Sequence, residues 1–348
     1  APTVLNVLQL LGWAAFELLV MGYAAAVITG YVFGPWTAAI FVPIFGAIVA
    51  ALALGGPLVV VRQWLEKFAI WLVYASTAAI AVAIAIRGVD LAARPMPSAF
   101  AGPASYLLAL DLVIVMPISW WPLVSDYNRF ARRARDSALG TTSGYTIANT
   151  AFYVLGAALL VFGPDVVTAI ALLGLGLAPL LFILVDETDN AFANVYSTAV
   201  SLQNLVPRAR QAWPIVAATG IAIAGAWLLL PGGNPFGGAY ETFLLLVGGL
   251  FVPLLGVVIA DSFLVRRGAY AAEEFFASAP AIRWPAFASW IPGIVLYFVV
   301  VLQWIPGFPP VGATLPSFAL AAGLHVVFAK VAASRALHGP AAPGARNG

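Results

Sequence analysis

The residues best suited to chemistry stand inside long apolar runs. In 175–205, LGLAPLLFILVDETDNAFANVYSTAVSLQNL, the middle and later turns carry Asp186, Glu187, Asp189, Asn190, Asn194, Ser197, Thr198, Ser201, Gln203 and Asn204. At about 100° per residue, Asp186, Asn190, Ser197 and Ser201 form one stripe of a helix, with Asn194 and Thr198 beside it. Such a stripe needs protein, water or an ion as its partner. The bland alternative is helix-to-helix hydrogen bonding.

Near the start, GWAAFELLV puts Trp13 and Glu17 one helical turn apart. An aromatic plane beside a carboxylate suits a flat heterocycle, since the ring gives apolar contact and the carboxylate reads an edge. A packing Trp beside a Glu in an interhelical pair is the plainer reading. In 106–130, Pro117 and Pro122 each remove a helical hydrogen bond and bracket Ser119, Trp120 and Trp121. Broken helices at bilayer depth line protein or a cavity, and in transporters they mark the binding site. Asp126 and Arg129 have the spacing of an ion pair.

The elements that must position these groups are transmembrane helices. Of 348 residues, 63% are hydrophobic and 9% charged, far from globular usage of about 25% charged. Spanning hydrocarbon takes about 20 apolar residues. Ten spans are expected, near 4–28, 35–55, 68–86, 106–130, 145–163, 175–205, 214–231, 239–265, 286–303 and 313–333. The segment 57–67 reads as an amphipathic lead-in, and 165–174 as an external cap helix. The spans form a single transmembrane bundle over 1–334, and 335–348 reads as a disordered cytoplasmic tail.

With residue 1 inside, the outer loops hold only Arg87 and Arg94 of the 16 Lys and Arg. The positive-inside rule then places both termini in the cytoplasm, across the inner (plasma) membrane. The absence of Cys excludes disulfides and thiolate sites, and His325 and His338 make no metal cluster. The net charge of +2 is spread over loops, so nucleic-acid binding has no support.

At three segments, QLLGWAAFE (9–17), SWWPLVSDYNRFAR (119–132) and DNAFANVYSTAVSLQN (189–204), the chain resembles the nucleobase:cation symporter-1 family of cytosine and purine permeases and allantoin and hydantoin transporters. The resemblance implies an all-α polytopic membrane protein with a LeuT-type five-plus-five inverted repeat. The motifs align with family spans three to twelve, so ten spans are present and the expected first two are missing.

It further implies symport of a nucleobase or related planar heterocycle with sodium or protons, with membrane lipid around it and no cofactor beyond the coupling ion. Trp13 and Glu17 take the substrate-binding positions of the third span, Trp120 (or Trp121) that of the broken sixth, and Gln203 that of an amide in the eighth. Asn194, Ser197 and Thr198 fall on the family's A-x-x-S-T sodium pattern, with Asn in place of Ala. A rival outside transport is a magnesium-dependent prenyltransferase using Asp186 and Asp189. It lacks a second acidic cluster, and the chain reads as no enzyme.

Overall fold

The computed structural model describes residues 2–56, 67–90, 103–128, 131–230, 238–270, 283–305 and 311–338, all of them helix, turn or loop. In chain order the α-helices are α1 Pro2–Ile28, α2 Thr37–Gly55, α3 Ile70–Arg87, α4 Pro103–Ser119, α5 Trp121–Asn128 and α6 Ala134–Leu159. They continue with α7 Val166–Leu172, α8 Ala178–Leu205, α9 Ala212–Leu229, α10 Gly238–Ile259, α11 Trp284–Val301 and α12 Thr314–His338. A π-helical turn, Ala260–Val265, extends α10.

Every expected span overlies a helix. Among the described residues, eight helices are long and apolar enough to cross a membrane. The two that fall short of that description are α6 and α8, of 26 and 28 residues. Both have ample length, and polar side chains dilute their apolar character. In α8 these are the acids, amides and hydroxyls of the candidate stripe.

The interrupted span of 106–130 breaks at Trp120, the turn residue between α4 and α5. Its N–H reaches the Pro117 carbonyl at 3.3 Å. Pro122 sits in the first turn of α5, where its missing N–H costs nothing. The cap expected at 165–174 is α7, whose N-terminus is held by Asp165 accepting from the Thr168 N–H at 2.9 Å. Helix α12 continues through His338, four residues into the expected tail. Residues 57–66, most of the lead-in, lie outside the described residues, as do Arg129 and 339–348.

The chain packs as two compact units: 1–95 with 122–243, and 96–121 with 244–348. In the first, α1 is the centre, packed along α8 and flanked by α2 and α9. Every residue of α1 from Trp13 to Gly22 is buried. Leu18, Leu19, Met21, Val42, Val49, Val195 and Ile215 form its core. Outside, many large apolar side chains are exposed, among them Ile86 at 80% and Leu228 at 82%. Polar groups inside and apolar groups outside is the arrangement that hydrocarbon solvent selects.

In the second unit α11 packs along α12, and α12 also meets the π turn. The buried Asp111 of α4 accepts from Ala313 N at 2.7 Å and Thr314 N at 3.0 Å. It satisfies donors that a helix start leaves open and places negative charge at the positive end of α12. Helices α10 and α12 approach closely at Gly256, where an added Cβ would stand 2.6 Å from the Phe318 carbonyl oxygen. No side chain can yield there, because the obstacle is backbone.

Gly256→Ala is therefore expected to destabilise the protein by about 1–3 kcal/mol through overpacking. Gly323→Ala, which meets open space, should be neutral or stabilising by up to about 1 kcal/mol. Thermal unfolding of both variants in detergent checks this, and equal midpoints would refute the close approach.

Candidate functional site

Helix α1 has a polar stripe that its apolar sequence half conceals. Asn6, Gln9, Trp13 and Glu17 recur at steps of three and four, within about 80° of one another around the axis, and all four are buried. Opposite them, α8 runs antiparallel and presents Asn194, Thr198 and Ser201, also buried. Asn6 Nδ2 donates to Ser201 Oγ at 3.2 Å, and Gln9 Nε2 donates to Asn6 Oδ1 at 2.9 Å.

Two turns farther along, Asn194 Nδ2 donates to Glu17 Oε1 at 2.7 Å. That length is typical of a charge-assisted hydrogen bond. The buried face of α8 is thus turned from the expected stripe. Asn194, Thr198 and Ser201 face inward, while Asp186, Asn190 and Ser197 are half-buried. The rotation follows from packing against α1, which takes the small and β-branched side.

Among the described residues, Trp13 Nε1, Glu17 Oε2, Asn194 Oδ1 and Thr198 Oγ1 are buried side-chain atoms in this region with no hydrogen-bond partner. Orphaned polar atoms are rare in native interiors, and several sharing one interface ask for a ligand, an ion or water. Asp186 and Asp189 lie close enough to Glu17 to act on it through their charge, as does Glu17 on Glu187. Among the described residues none of these four acids has an ion-pair partner.

The aromatic surroundings of Trp13 were not read from the sequence. Tyr240 and Phe243, in the first turns of α10, meet Trp13 edge-on at centroid distances of 6.0 and 5.3 Å, and both also contact Phe16. Asn6 and Gln9 were missed as well, although their helical spacing from Trp13 and Glu17 was a readable signal. Tyr240 and Phe243 carried none, because they are some 230 positions away in sequence.

The structure brings together Trp13, Glu17, Asn194 and Thr198, with Ser197 half-buried beside Thr198. It places Gln203 elsewhere on α8. Nine residues from Asn194, it lies about 180° around the helix, and its amide donates to the Ala209 carbonyl at 3.2 Å. Trp120 is half-buried and belongs to the second unit, whereas the other candidates belong to the first.

The model of permeases for cytosine and purines, uracil, thiamine and allantoin matches residues 1–319. The chain belongs to this family. Cytosine permeases of Escherichia coli strains K12, O6:H1 and O157:H7 are each 28% identical to it over 222 residues, 62% of this chain and 48% of theirs. The chain spans about half the length of these relatives.

Among solved structures, Mhp1, a nucleobase-cation-symport-1 family transporter in a closed conformation with bromovinylhydantoin bound, is similar with a TM-score of 0.69 at 20% identity. The match covers 96% of this chain and 76% of Mhp1. The fold is accordingly that of an all-α polytopic membrane transporter. The relatives are permeases and not enzymes, so the prenyltransferase reading of Asp186 and Asp189 falls.

The Glu17–Asn194 bond generates a stability prediction. Asn194→Ala or Glu17→Ala alone strands a buried polar partner and should cost about 1–3 kcal/mol. The double variant should cost clearly less than the sum. A double-mutant cycle by unfolding in detergent measures the coupling, and strict additivity would show that the two groups do not share a bond.

Proposed function

We propose that the full-length protein is a symporter importing a nucleobase or a related planar heterocycle, such as cytosine, a purine, allantoin or hydantoin, across the inner membrane. The observation that carries this reading is the set of orphaned polar atoms on Trp13, Glu17, Asn194 and Thr198, in a protein whose solvent is hydrocarbon. Unsatisfied polar atoms at such depth mark substrate and ion pathways.

In this reading Trp13 gives the flat face and Glu17 the polar edge. Trp120, the candidate of the second unit, stands at a helix break, a feature that marks substrate sites in transporters. Gln203 contributes an amide after releasing Ala209. The names of the relatives support the class of solute: cytosine for the E. coli permeases and bromovinylhydantoin for Mhp1.

For the coupling ion we favour sodium at Asn194, Ser197 and Thr198. The residues suit it: Thr198 Oγ1 is a buried hard oxygen with no partner, and alkali cations take hydroxyl and carbonyl oxygens. Proton coupling is the second reading, motivated by Glu17 and the three acids near it, Asp186, Glu187 and Asp189. Both termini of the chain are cytoplasmic on the distribution of basic residues.

Three measurements test these proposals. Trp13→Ala should weaken binding of the transported heterocycle by about 1–3 kcal/mol, as for bases stacked on aromatic rings; unchanged binding of cytosine, uracil, adenine, hypoxanthine, allantoin and hydantoin by the folded variant would move the pocket elsewhere. Thr198→Ala and Ser197→Ala should reduce the sodium dependence of uptake. If uptake instead follows the proton gradient in wild type and variants alike, the coupling ion is the proton. A cysteine introduced at Gly30 should react with impermeant reagent from outside and one at Ser137 should not, the reverse pattern inverting the topology.

A further inference from the structure

Among the described residues of α6, 26 in all, Leu159 alone is buried. The first turns of this helix and the end of α5 line a cavity of about 520 Å³, a volume usual for small-molecule sites. Gly140 and Gly144 form part of its wall, and an added Cβ at either would meet open space. Ser137 and Thr141 bring hydroxyls to it, and Asn128, the last residue of α5, brings an amide. Thr141 Oγ1 donates to Asn128 Oδ1 at 3.0 Å, so the NH2 is the part of that amide left to donate.

Ala131 and Asp136 also line the cavity. The chain that runs between them carries Arg132, Arg133 and Arg135, all exposed, so three guanidinium groups stand on its rim. Among the described residues none of the three has an ion-pair partner. Asp136 sets one carboxylate against them, and the rim keeps a positive excess. Farther along α6, Ile147 lies about 60° around the axis from Gly144, and Val154 continues that face. They are 70% and 65% exposed. One helix thus leads from a cationic, hydroxyl-lined cavity onto an apolar track.

We propose that the cavity between α5 and α6 binds one anionic phospholipid of the phosphatidylglycerol type. Arg132, Arg133 and Arg135 hold the phosphate, whose oxygens match the guanidinium fork. Asn128, Ser137 and Thr141 meet the hydroxyls of the headgroup, and an acyl chain follows Ile147 and Val154. Basic residues beside a membrane span attract anionic lipid in any case. The cavity adds a place for one headgroup, and the track selects a lipid over a free phosphate, which has no use for apolar contact. A choline headgroup would carry its own cation to the same rim and offers no hydroxyl.

The test places the full-length protein in nanodiscs of phosphatidylcholine containing a minor fraction of phosphatidylglycerol, and native mass spectrometry reads which lipid stays bound. Wild type should retain phosphatidylglycerol about tenfold or more above its share of the disc. Two variants separate charge from shape. Arg132→Gln, Arg133→Gln and Arg135→Gln together remove the charge. Gly140→Leu with Gly144→Leu fills the cavity and leaves the arginines in place. Both should bring the enrichment close to one, with melting in pure phosphatidylcholine discs unchanged. Thr141→Leu fills the cavity from another position should the glycine variant fail to fold.

A wild type without enrichment overturns the proposal. So does a folded, cavity-filled variant that keeps the wild-type enrichment, because the arginines then attract lipid without a site. Inorganic phosphate that stabilises the wild type in pure phosphatidylcholine discs as much as phosphatidylglycerol does would overturn it too, since the occupant is then a free anion.

Discussion

A carboxylate in hydrocarbon must be paired, hydrated or neutralised, and in the first unit the group that answers this demand for Glu17 is the amide of Asn194 at 2.7 Å. Much of the surrounding architecture follows from accommodating that pair. Helix α1 sits at the centre of its unit, because a span with four polar side chains on one face cannot turn that face to lipid. Helix α8 accepts the contact because its own polar residues have the same need. The apolar helices α2 and α9 close the remaining sides, and their outer faces meet the membrane. A strip of hydrogen bonds thus determines which helices stand inside.

The second unit meets the same constraint at a different place. There the groups in need are the first N–H donors of α12, and Asp111 of α4 supplies both oxygens to them. One buried acid ties two helices far apart in sequence without any basic residue. In an apolar solvent the unsatisfied backbone of a helix end serves as the counter-group that a lysine or arginine would supply in water.

The helix order was legible because the apolar runs and the proline and glycine breaks are local signals. The break at Trp120 and the cap helix α7 were readable on the same ground. Trp13 and Glu17 were visible as polar or aromatic residues out of place. Their partners were not all visible. Asn194 entered the sequence reading beside the polar stripe and in the sodium motif, and its bond to Glu17 required knowing that α8 turns that face to α1. Tyr240 and Phe243 look like any aromatic residues at a span entrance. Gln203 shows the converse: an amide well placed in the linear motif faces about half a turn away from Asn194.

The π turn at Ala260–Val265 determines what the end of α10 can meet. A π turn amounts to one residue inserted into an α-helix, with the bonding pattern widened to absorb it. The insertion swings everything after Ala260 out of phase with α10. In that new phase Asp261 meets His325 of α12 at 3.1 Å, Arg266 Nε at 3.2 Å and the Tyr270 hydroxyl at 3.0 Å. An uninterrupted α-helix would carry those side chains about 100° further on for each residue gained, and the cluster would not assemble. The widened turn thus closes on itself through the Arg266 N–H and the Asp261 carbonyl, and the end of α10 meets α12 through the Asp261 carboxylate.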